Sequence, residues 1–210
     1  MPAGFQLINT DANVISIDEN YNNLFLVEQG VGGVIPPAGN YFNPLVAIMG
    51  PNYNYYTHGS AVPGDTRWFV FDQLHGWMGT NVGFQVFNAG GGLVFDSGRF
   101  PMRIAGAYPD LGGGYNAIGI PAGRSYACVM GSVGGRWVEG SIKAGGANWR
   151  NFEGEDQIGV RVNGGLMEWN WYTRWYSEWI SDTQEFAQGT NWRYSNVPAS
   201  GLVLDVTNYF

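Results

Sequence analysis

Positive charge is scarce in this 210-residue chain. It has 10 Lys and Arg residues, of which Lys143 is the sole lysine, against 17 Asp and Glu residues, and its formal net charge is −7. A protein that binds nucleic acid by neutralising phosphates needs a clustered basic face, and so does a polybasic protein at an anionic membrane surface. The composition therefore excludes nucleic acid as a partner of this kind and argues against a polybasic membrane-surface protein.

Cysteine and long hydrophobic runs are also lacking. Cys128 is the sole cysteine, so no internal disulfide can form, and its apolar neighbours at 126–130 predict a buried thiol rather than a reactive one. No stretch approaches the ~18 consecutive apolar residues of a membrane-spanning helix. The first residues, 1–5, lack the pattern of a signal peptide. We expect synthesis in a reducing cytoplasm and no membrane insertion.

Catalytic and metal-binding patterns are few. The two histidines, His58 and His75, form no metal-ligand spacing, and a single cysteine cannot complete a zinc quartet. Carboxylates are the one abundant catalytic residue type, and Glu153, Glu155 and Asp156 form a local cluster that we predict to be a charged turn. The chain is thus predicted to be a non-enzyme without cofactor or metal. An enzyme that cleaves polysaccharide or peptidoglycan with these carboxylates is the alternative.

Glycine and aromatic residues are abundant instead. The chain has 33 Gly, 12 Tyr, 12 Phe and 9 Trp residues, and its apolar segments are short and bounded by Gly, Pro, Asn or Asp. Few windows carry a helical period, so the sequence predicts an all-β fold, either sandwich or barrel-like. The predicted strands are 4–9, 13–18, 23–28, 44–49, 67–72, 83–88, 92–96, 101–106, 125–130, 135–142, 157–163, 166–180, 190–194 and 201–207. Exposed loops are predicted at 51–56 and 111–115.

A weak internal repeat runs through the chain. GFQLIN at residues 4–9 is followed by a turn and an apolar segment that ends at Asp18, and GFQVFN at residues 83–88 is followed in the same way by a segment that ends at Asp96. Each copy has the pattern of a β-hairpin. The repeat predicts two β-sandwich-like modules, residues 1–80 and residues 81–210, the second of which includes a Trp-rich C-terminal strand region.

The sharpest pattern in the chain lies at residues 167–180. Trp occupies alternate positions there, with Tyr and charged residues between, which predicts a strand or hairpin with Trp on one face and a polar face carrying Tyr on the other. A helix face also fits some of the Trp spacing, but Trp and Tyr favour strands. The candidate interface or ligand-stacking residues are Trp169, Trp171, Tyr172, Trp175, Tyr176 and Trp179.

Two interpretations of these aromatic residues stay open. In one, the Trp face is core and the Tyr face is a solvated surface or a contact between subunits. In the other, an aromatic face stacks on a ligand such as a sugar ring, or anchors a partner protein.

Residues 83–97 carry a resemblance to a known family. They read GFQVFN, a Gly-rich turn and then an apolar segment that closes on Phe95-Asp96-Ser97, and a WFVFD segment at 68–72 precedes them. Together with the first copy at 4–18, this pattern resembles that of small structural proteins of tailed bacteriophages, described as tail-tip or tail-fibre associated. The resemblance covers about the first 105 residues and leaves out the Trp-rich region.

The resemblance implies a virion structural protein of the phage tail that is synthesised in the bacterial host cytoplasm, and it implies no catalytic residues. The expected partners are further copies of the chain, with a trimer as the first expectation, other phage tail proteins, and a host surface glycan. Phage tail assembly needs neither a signal peptide nor disulfides, in agreement with the composition. A carbohydrate-binding, lectin-like module that uses an exposed Trp or Tyr face is the alternative function.

Overall fold

The computed structural model describes residues 6–9, 14–18, 23–74, 80–112, 115–163, 165–195 and 197–209. It is almost entirely β-structure, which confirms the all-β fold expected from the sequence. The strands are β1 (Gln6–Asn9), β2 (Val14–Asp18), β3 (Leu24–Val34), β4 (Leu45–Met49), β5 (Ala61–Gln73), β6 (Gln85–Phe87), β7 (Leu93–Asp96), β8 (Ile104–Tyr108), β9 (Asn116–Gly119), β10 (Tyr126–Ser132), β11 (Gly135–Gly145), β12 (Asn148–Asn163), β13 (Leu166–Ser181), β14 (Gly189–Tyr194) and β15 (Ser200–Asp205). A 3-10 turn lies at Ala38–Asn40.

Every segment predicted to be a strand overlaps a strand of the structure, but β9 and the first half of β12 lie outside the predicted segments. The cluster of Glu153, Glu155 and Asp156, predicted to be a charged turn, lies inside β12, so that prediction is wrong. Its backbone is paired with β11 on one side and with β13 on the other. Pairing on both sides keeps a charged, Gly-containing segment extended although its composition is typical of a turn.

The chain forms two compact units. Unit 1 consists of Met1–Ile48, Tyr56–Ile104 and Leu204–Phe210, and unit 2 consists of Met49–Tyr55 and Ala105–Val203. These boundaries differ from those of the predicted modules 1–80 and 81–210. The two modules therefore remain a prediction from the sequence repeat.

Unit 1 is built around β5, which lies between β3 and β4 and runs antiparallel to β3. Phe69, Val70 and Phe71 follow one another in β5 and are all almost completely buried, so both faces of the strand are covered. Trp68 packs with Val70 on one face, and its indole N–H donates to the carbonyl of Gly32 at 2.9 Å. A strand buried on both faces needs a continuous apolar run rather than an alternating one, and this is the role of the WFVF sequence.

The two copies of the sequence repeat fold into hairpins of the same register. Gln6 lies opposite Asp18 in β1–β2, and Gln85 lies opposite Asp96 in β6–β7. In each copy the register then shifts by one residue after the second residue of the first strand. The shared bulge makes the repeat one of local structure as well as of sequence. The residues that open the first copy, 4–5, lie outside the described residues.

The polar residues of the second copy are held together by the carboxylate of Asp96. This buried carboxylate accepts hydrogen bonds from the backbone N–H groups of Thr80 and Gly98, at 2.5 and 2.7 Å, and from the side chain of Gln85 at 2.9 Å. Burial by itself raises the pKa of the Asp96 carboxyl, but these hydrogen bonds to its ionised form outweigh burial and lower the pKa to about 2. The side-chain oxygen of Asn88 likewise accepts hydrogen bonds from two backbone N–H groups of the turn that follows it, at 3.0 and 2.8 Å.

We expect Asp96→Asn to lower the free energy of unfolding by about 2 kcal/mol at neutral pH, because the amide NH₂ would face N–H donors. The pKa of Asp96 is lower in the folded chain than its ordinary value of 3.8, so the stabilisation is present above that value and is lost as the pH falls towards about 2. Urea unfolding of wild type and variant, at neutral pH and at the acid end of this range, measures the stabilisation. The difference between their free energies of unfolding should shrink at acid pH. Asp65→Asn, at an exposed position of β5, is the control. Equal stabilities of wild type and Asp96→Asn at neutral pH would contradict the expectation.

Unit 2 contains a five-stranded antiparallel sheet with the strand order β14–β11–β12–β13–β9. Val160 of β12 and Met167 of β13 pack with Cys128 of β10 and Val203 of β15 in its core. The prediction that Cys128 is a buried thiol is confirmed, and burial raises its pKa to about 12. No helix among the described residues is long and apolar enough to span a membrane.

Each of the two segments predicted to be exposed loops contains described residues that are buried or half-buried. Asn54 pairs with Val160 through backbone hydrogen bonds of 3.4 and 3.3 Å, and its neighbours Tyr53 and Tyr55 are half-buried. Leu111, at the start of the second loop, is buried and belongs to the core of unit 2. Pro51, Asn52, Gly112 and Tyr115 are exposed, as predicted, so each segment combines exposed residues with residues that pack in unit 2.

Candidate functional site

The aromatic candidates lie on β13, which pairs with β12 along almost its whole length. The register of this pair shifts once. Glu155 lies opposite Trp175, whereas the next residue, Asp156, lies opposite Thr173, so Arg174 is an extra residue in β13. This residue forms a β-bulge in the middle of the Trp-rich segment.

The side chains of a strand alternate between the two faces of the sheet. The extra residue shifts this alternation by one position, so every side chain of β13 after the bulge lies on the face opposite to the one it would otherwise occupy. Face A carries Trp169, Trp171 and Tyr176, and face B carries Tyr172, Trp175 and Trp179. The prediction of one Trp face and one Tyr face is therefore wrong. Each face carries two of these Trp residues and one Tyr.

Trp169, on face A, is a core residue. It is 4% exposed and packs with Leu111, Ile158 and Ala199. Its indole N–H donates to the backbone carbonyl of Leu111, which satisfies the one polar group of the side chain. For this candidate the core interpretation is correct.

Trp171, the next residue on face A, is half-buried and stacks on an arginine. The guanidinium carbon of Arg136 lies 4.7 Å from the centre of the Trp171 ring and 4.2 Å from that of Trp192. Arg136 also forms an ion pair with the buried carboxylate of Asp156 at 2.7 Å. A cation between two rings and held by a carboxylate fixes the position of both rings.

A cleft of about 230 Å³ opens beside Trp171. Tyr194, at the end of β14, meets Trp171 edge-on, with ring centroids 6.5 Å apart. Ile158 contributes an apolar wall, and Asp110 and Ser195 contribute polar groups. We call this feature the Trp171 cleft.

Beyond the bulge, face A carries exposed apolar side chains. Four of them are between 41% and 65% exposed and come from three strands of the sheet: Trp192 of β14, Ile142 of β11, and Tyr176 and Ile180 of β13. Val138 and Gly154 lie between Trp192 and Tyr176 in the sheet, and Arg150 lies between Ile142 and Ile180. We call these four residues the apolar strip. The ion pair between Arg150 and Glu178, at 3.1 Å, lies on the same face.

Two glycines of the sheet lie against aromatic rings of face A. The Tyr176 ring lies over Gly154, where an added Cβ would come within 3.1 Å of it, and the Phe152 ring lies over Gly140, where an added Cβ would come within 2.6 Å. Phe152 and Tyr176 stack on each other, with ring centroids 6.3 Å apart. The exposed Tyr176 ring is thus supported by Gly154 and by the buried Phe152 ring.

Face B combines rings with ion pairs. Trp175 meets Trp137 edge-on, with ring centroids 5.0 Å apart, and the bulge residue Arg174 reaches Glu155 at 3.1 Å. An open cavity of about 280 Å³ beside them is lined by Trp137, Glu155 and Arg193. The charged side chains of this cavity are already paired with each other or with neighbours in the sheet.

The other two candidates on face B are held within the sheet. The Tyr172 hydroxyl donates to Gln157 at 3.3 Å, its ring lies over Gly159, and burial raises the pKa of this tyrosine. The indole N–H of Trp179 donates to Glu185 at 2.8 Å. Both contacts make these side chains parts of the local structure.

Sequence reasoning missed several residues of these surfaces. Arg136, Trp137, Trp192 and Tyr194 come from β11 and β14, outside the Trp-rich segment. The spacing of Trp192 and Tyr194, two residues apart in a predicted strand, was an available signal that they share a face. Their closeness to Trp171 depends on the pairing of β11 with β12 and β14.

The other candidate catalytic and metal-binding side chains among the described residues are dispersed or already paired. Glu155 and Asp156 lie on opposite faces of β12, and each is paired with an arginine. The Nδ1 atom of His58 lies 2.7 Å from the carbonyl oxygen of Pro36, and His75 lies outside the described residues. No group of three or more His, Cys, Asp or Glu residues in the described part of the chain is placed to hold a metal ion.

Comparison of the chain with protein-family models, with curated proteins and with solved structures finds no match. The contacts of the sheet and the sequence patterns are therefore the basis of the functional argument.

The buried Trp169 and the more exposed Trp175 should contribute differently to stability. We expect Trp169→Phe to lower the free energy of unfolding by about 2 kcal/mol, because it leaves a void in the core and the Leu111 carbonyl without its donor. The matched variant Trp175→Phe, at a site that is 36% exposed, should cost less than about 1 kcal/mol. Urea unfolding of both variants is the measurement, and equal losses would contradict the assignment of Trp169 to the core.

Proposed function

We propose that this chain is a non-enzymatic structural protein of a phage tail and that it assembles with further copies of itself through the apolar strip. The observation that carries the proposal is the strip itself, with Tyr176, Ile180, Ile142 and Trp192 exposed together on one face of the sheet. Several apolar side chains exposed on one face, with charged residues among them, are typical of protein–protein contacts, and Trp and Tyr are common among the residues that dominate the affinity of such contacts.

A second copy of the chain is the occupant that suits this surface. Arg150 and Glu178 lie beside the apolar residues and are both about half exposed, so the surface presents one positive and one negative charge. Neighbouring copies in a closed assembly can exchange these partners, the arginine of one copy with the glutamate of the next, so that both charges stay paired across the contact. A trimer is the first expectation for the assembled state.

The placement in a phage tail is supported by the resemblance at residues 83–97. Gln85 and Asp96 of that pattern hold a hairpin together through a buried hydrogen-bond network. Such a network is suited to a structural role and uses no group that a reaction would need. In this proposal the protein is synthesised in the host cytoplasm, is incorporated into the virion tail, and contacts other tail proteins and a host surface glycan.

Self-assembly is tested by light scattering coupled to size-exclusion chromatography. The wild-type chain should elute at a multiple of its monomer mass of 23.0 kDa, and three times that mass is expected first. The double variant Tyr176→Ser/Ile180→Ser should elute as a monomer, because it removes most of the apolar area of the strip.

The control for this experiment is Val34→Ser, which removes an equally exposed apolar side chain from unit 1. It should keep the wild-type mass. A wild-type monomer at micromolar concentration, or a double variant that assembles normally, would overturn assembly through the strip.

The proposed location in the phage tail is tested by immunogold electron microscopy of purified virions from the phage that carries this chain. Gold label at the tail end supports the proposal. Virions without label, checked after mild dissociation of the tail to expose covered epitopes, would overturn the tail assignment.

A further inference from the structure

The Trp171 cleft is a second built feature of unit 2, separate from the apolar strip. Two rings, Trp171 and Tyr194, form a corner there, with an interplanar angle of 63°. Ile158, which is completely buried, closes one side, and Asp110 and Ser195 add polar groups at the margin. Concave sites that combine apolar walls with a few polar groups are typical of small-ligand binding.

The two rings suit a ligand with a flat face of C–H groups. The face of an aromatic ring carries partial negative charge and attracts the partial positive charge of such hydrogens. Tyr194 is 61% exposed, so its ring is open to a ligand, whereas Trp171 is half-buried beside it. A pyranose ring has C–H groups on its faces and hydroxyl groups around its edge.

One of the polar residues that line the cleft, Asp110, carries a carboxylate. The Oδ1 atom of Asp110 accepts a hydrogen bond from the backbone N–H of Gly112 at 2.7 Å, which holds the side chain in place, and its Oδ2 atom takes no hydrogen bond from any described residue. A carboxylate accepts strong, short hydrogen bonds from hydroxyl donors. Asp110 is thus placed to orient a ligand that stacks on the two rings.

The cleft is also held in shape before any ligand binds. Arg136 stacks on the Trp171 ring and is fixed by the buried carboxylate of Asp156. A ring that is already immobilised loses little freedom on binding, so more of the contact energy contributes to affinity.

We infer that the Trp171 cleft binds a single neutral pyranose unit of a glycan. The volume of about 230 Å³ suits one sugar ring rather than an extended oligosaccharide. The carboxylate of Asp110 and the net charge of −7 disfavour anionic sugars and phosphorylated ligands. This inference goes beyond the proposed self-assembly and does not depend on it.

The experiment is a titration of the wild-type chain with methyl glycosides of glucose, galactose, mannose and N-acetylglucosamine, followed by tryptophan fluorescence and by saturation-transfer NMR. At least one glycoside should saturate with a Kd of about 1 mM. Tyr194→Ser should weaken that binding at least about tenfold, and Asp110→Asn should weaken it severalfold, because they remove a stacking ring and a charged acceptor.

The matched control is Phe87→Ser, which removes a similarly exposed ring from unit 1 and lies outside both the cleft and the apolar strip. It should leave the Kd within about twofold of wild type. No saturation by any glycoside up to about 50 mM would overturn the inference. So would equal Kd values for wild type, Tyr194→Ser and Asp110→Asn. A wild-type chain that binds a glycoside but stays monomeric would count against the apolar strip alone.

Discussion

The single extra residue at Arg174 is the constraint on which the surfaces of unit 2 depend. A strand presents alternate side chains to opposite faces, so one added residue sends every later side chain to the other side. Without the bulge, Trp175 and Trp179 would lie on face A with Trp169, and Tyr176 would lie on face B. With it, Tyr176 joins Trp192 in the apolar strip, while Trp175 meets Trp137 on the opposite face. The side chain of Arg174 binds Glu155 beside the bulge, which supports the irregular pairing.

Part of the abundance of glycine and of aromatic residues has a common structural origin. In both units an aromatic ring packs against a glycine of a neighbouring strand: Trp68 against Gly30, Phe152 against Gly140, Tyr172 against Gly159 and Tyr176 against Gly154. At each of these positions an added Cβ would come too close to the ring. The glycines weaken the strands individually, but the rings cover the backbone that the glycines leave bare. The composition thus reflects cross-strand packing as well as turns.

Face A shows how one strand serves both core and surface. Its Trp169 end is covered by Leu111 and Ala199, whereas the end beyond the bulge leaves Tyr176 and Ile180 in contact with solvent. Between the two ends, Arg136 stacks between Trp171 and Trp192 and neutralises Asp156. A charge that is paired and stacked in this way destabilises a largely apolar face less than an unpaired charge would. The stacking of Arg136 on Trp171 orders the cleft, and its stacking on Trp192 lies at the border of the apolar strip.

The sequence by itself determined the all-β fold, the positions of most strands and the two hairpins of the repeat, because alternation, turn residues and the Gln–Asp pattern are local properties of the chain. It also determined that Cys128 is buried, since its neighbours are apolar. Only the tertiary structure decided which face each ring of β13 occupies, because register is a property of the β12–β13 pair and one bulge reverses it. It also decided that Glu155 and Asp156 lie in a strand, because β11 and β13 hold that segment extended from both sides. Tyr194 and Trp171 meet in a cleft for the same kind of reason, since they come from strands that only the order β14–β11–β12–β13 places side by side.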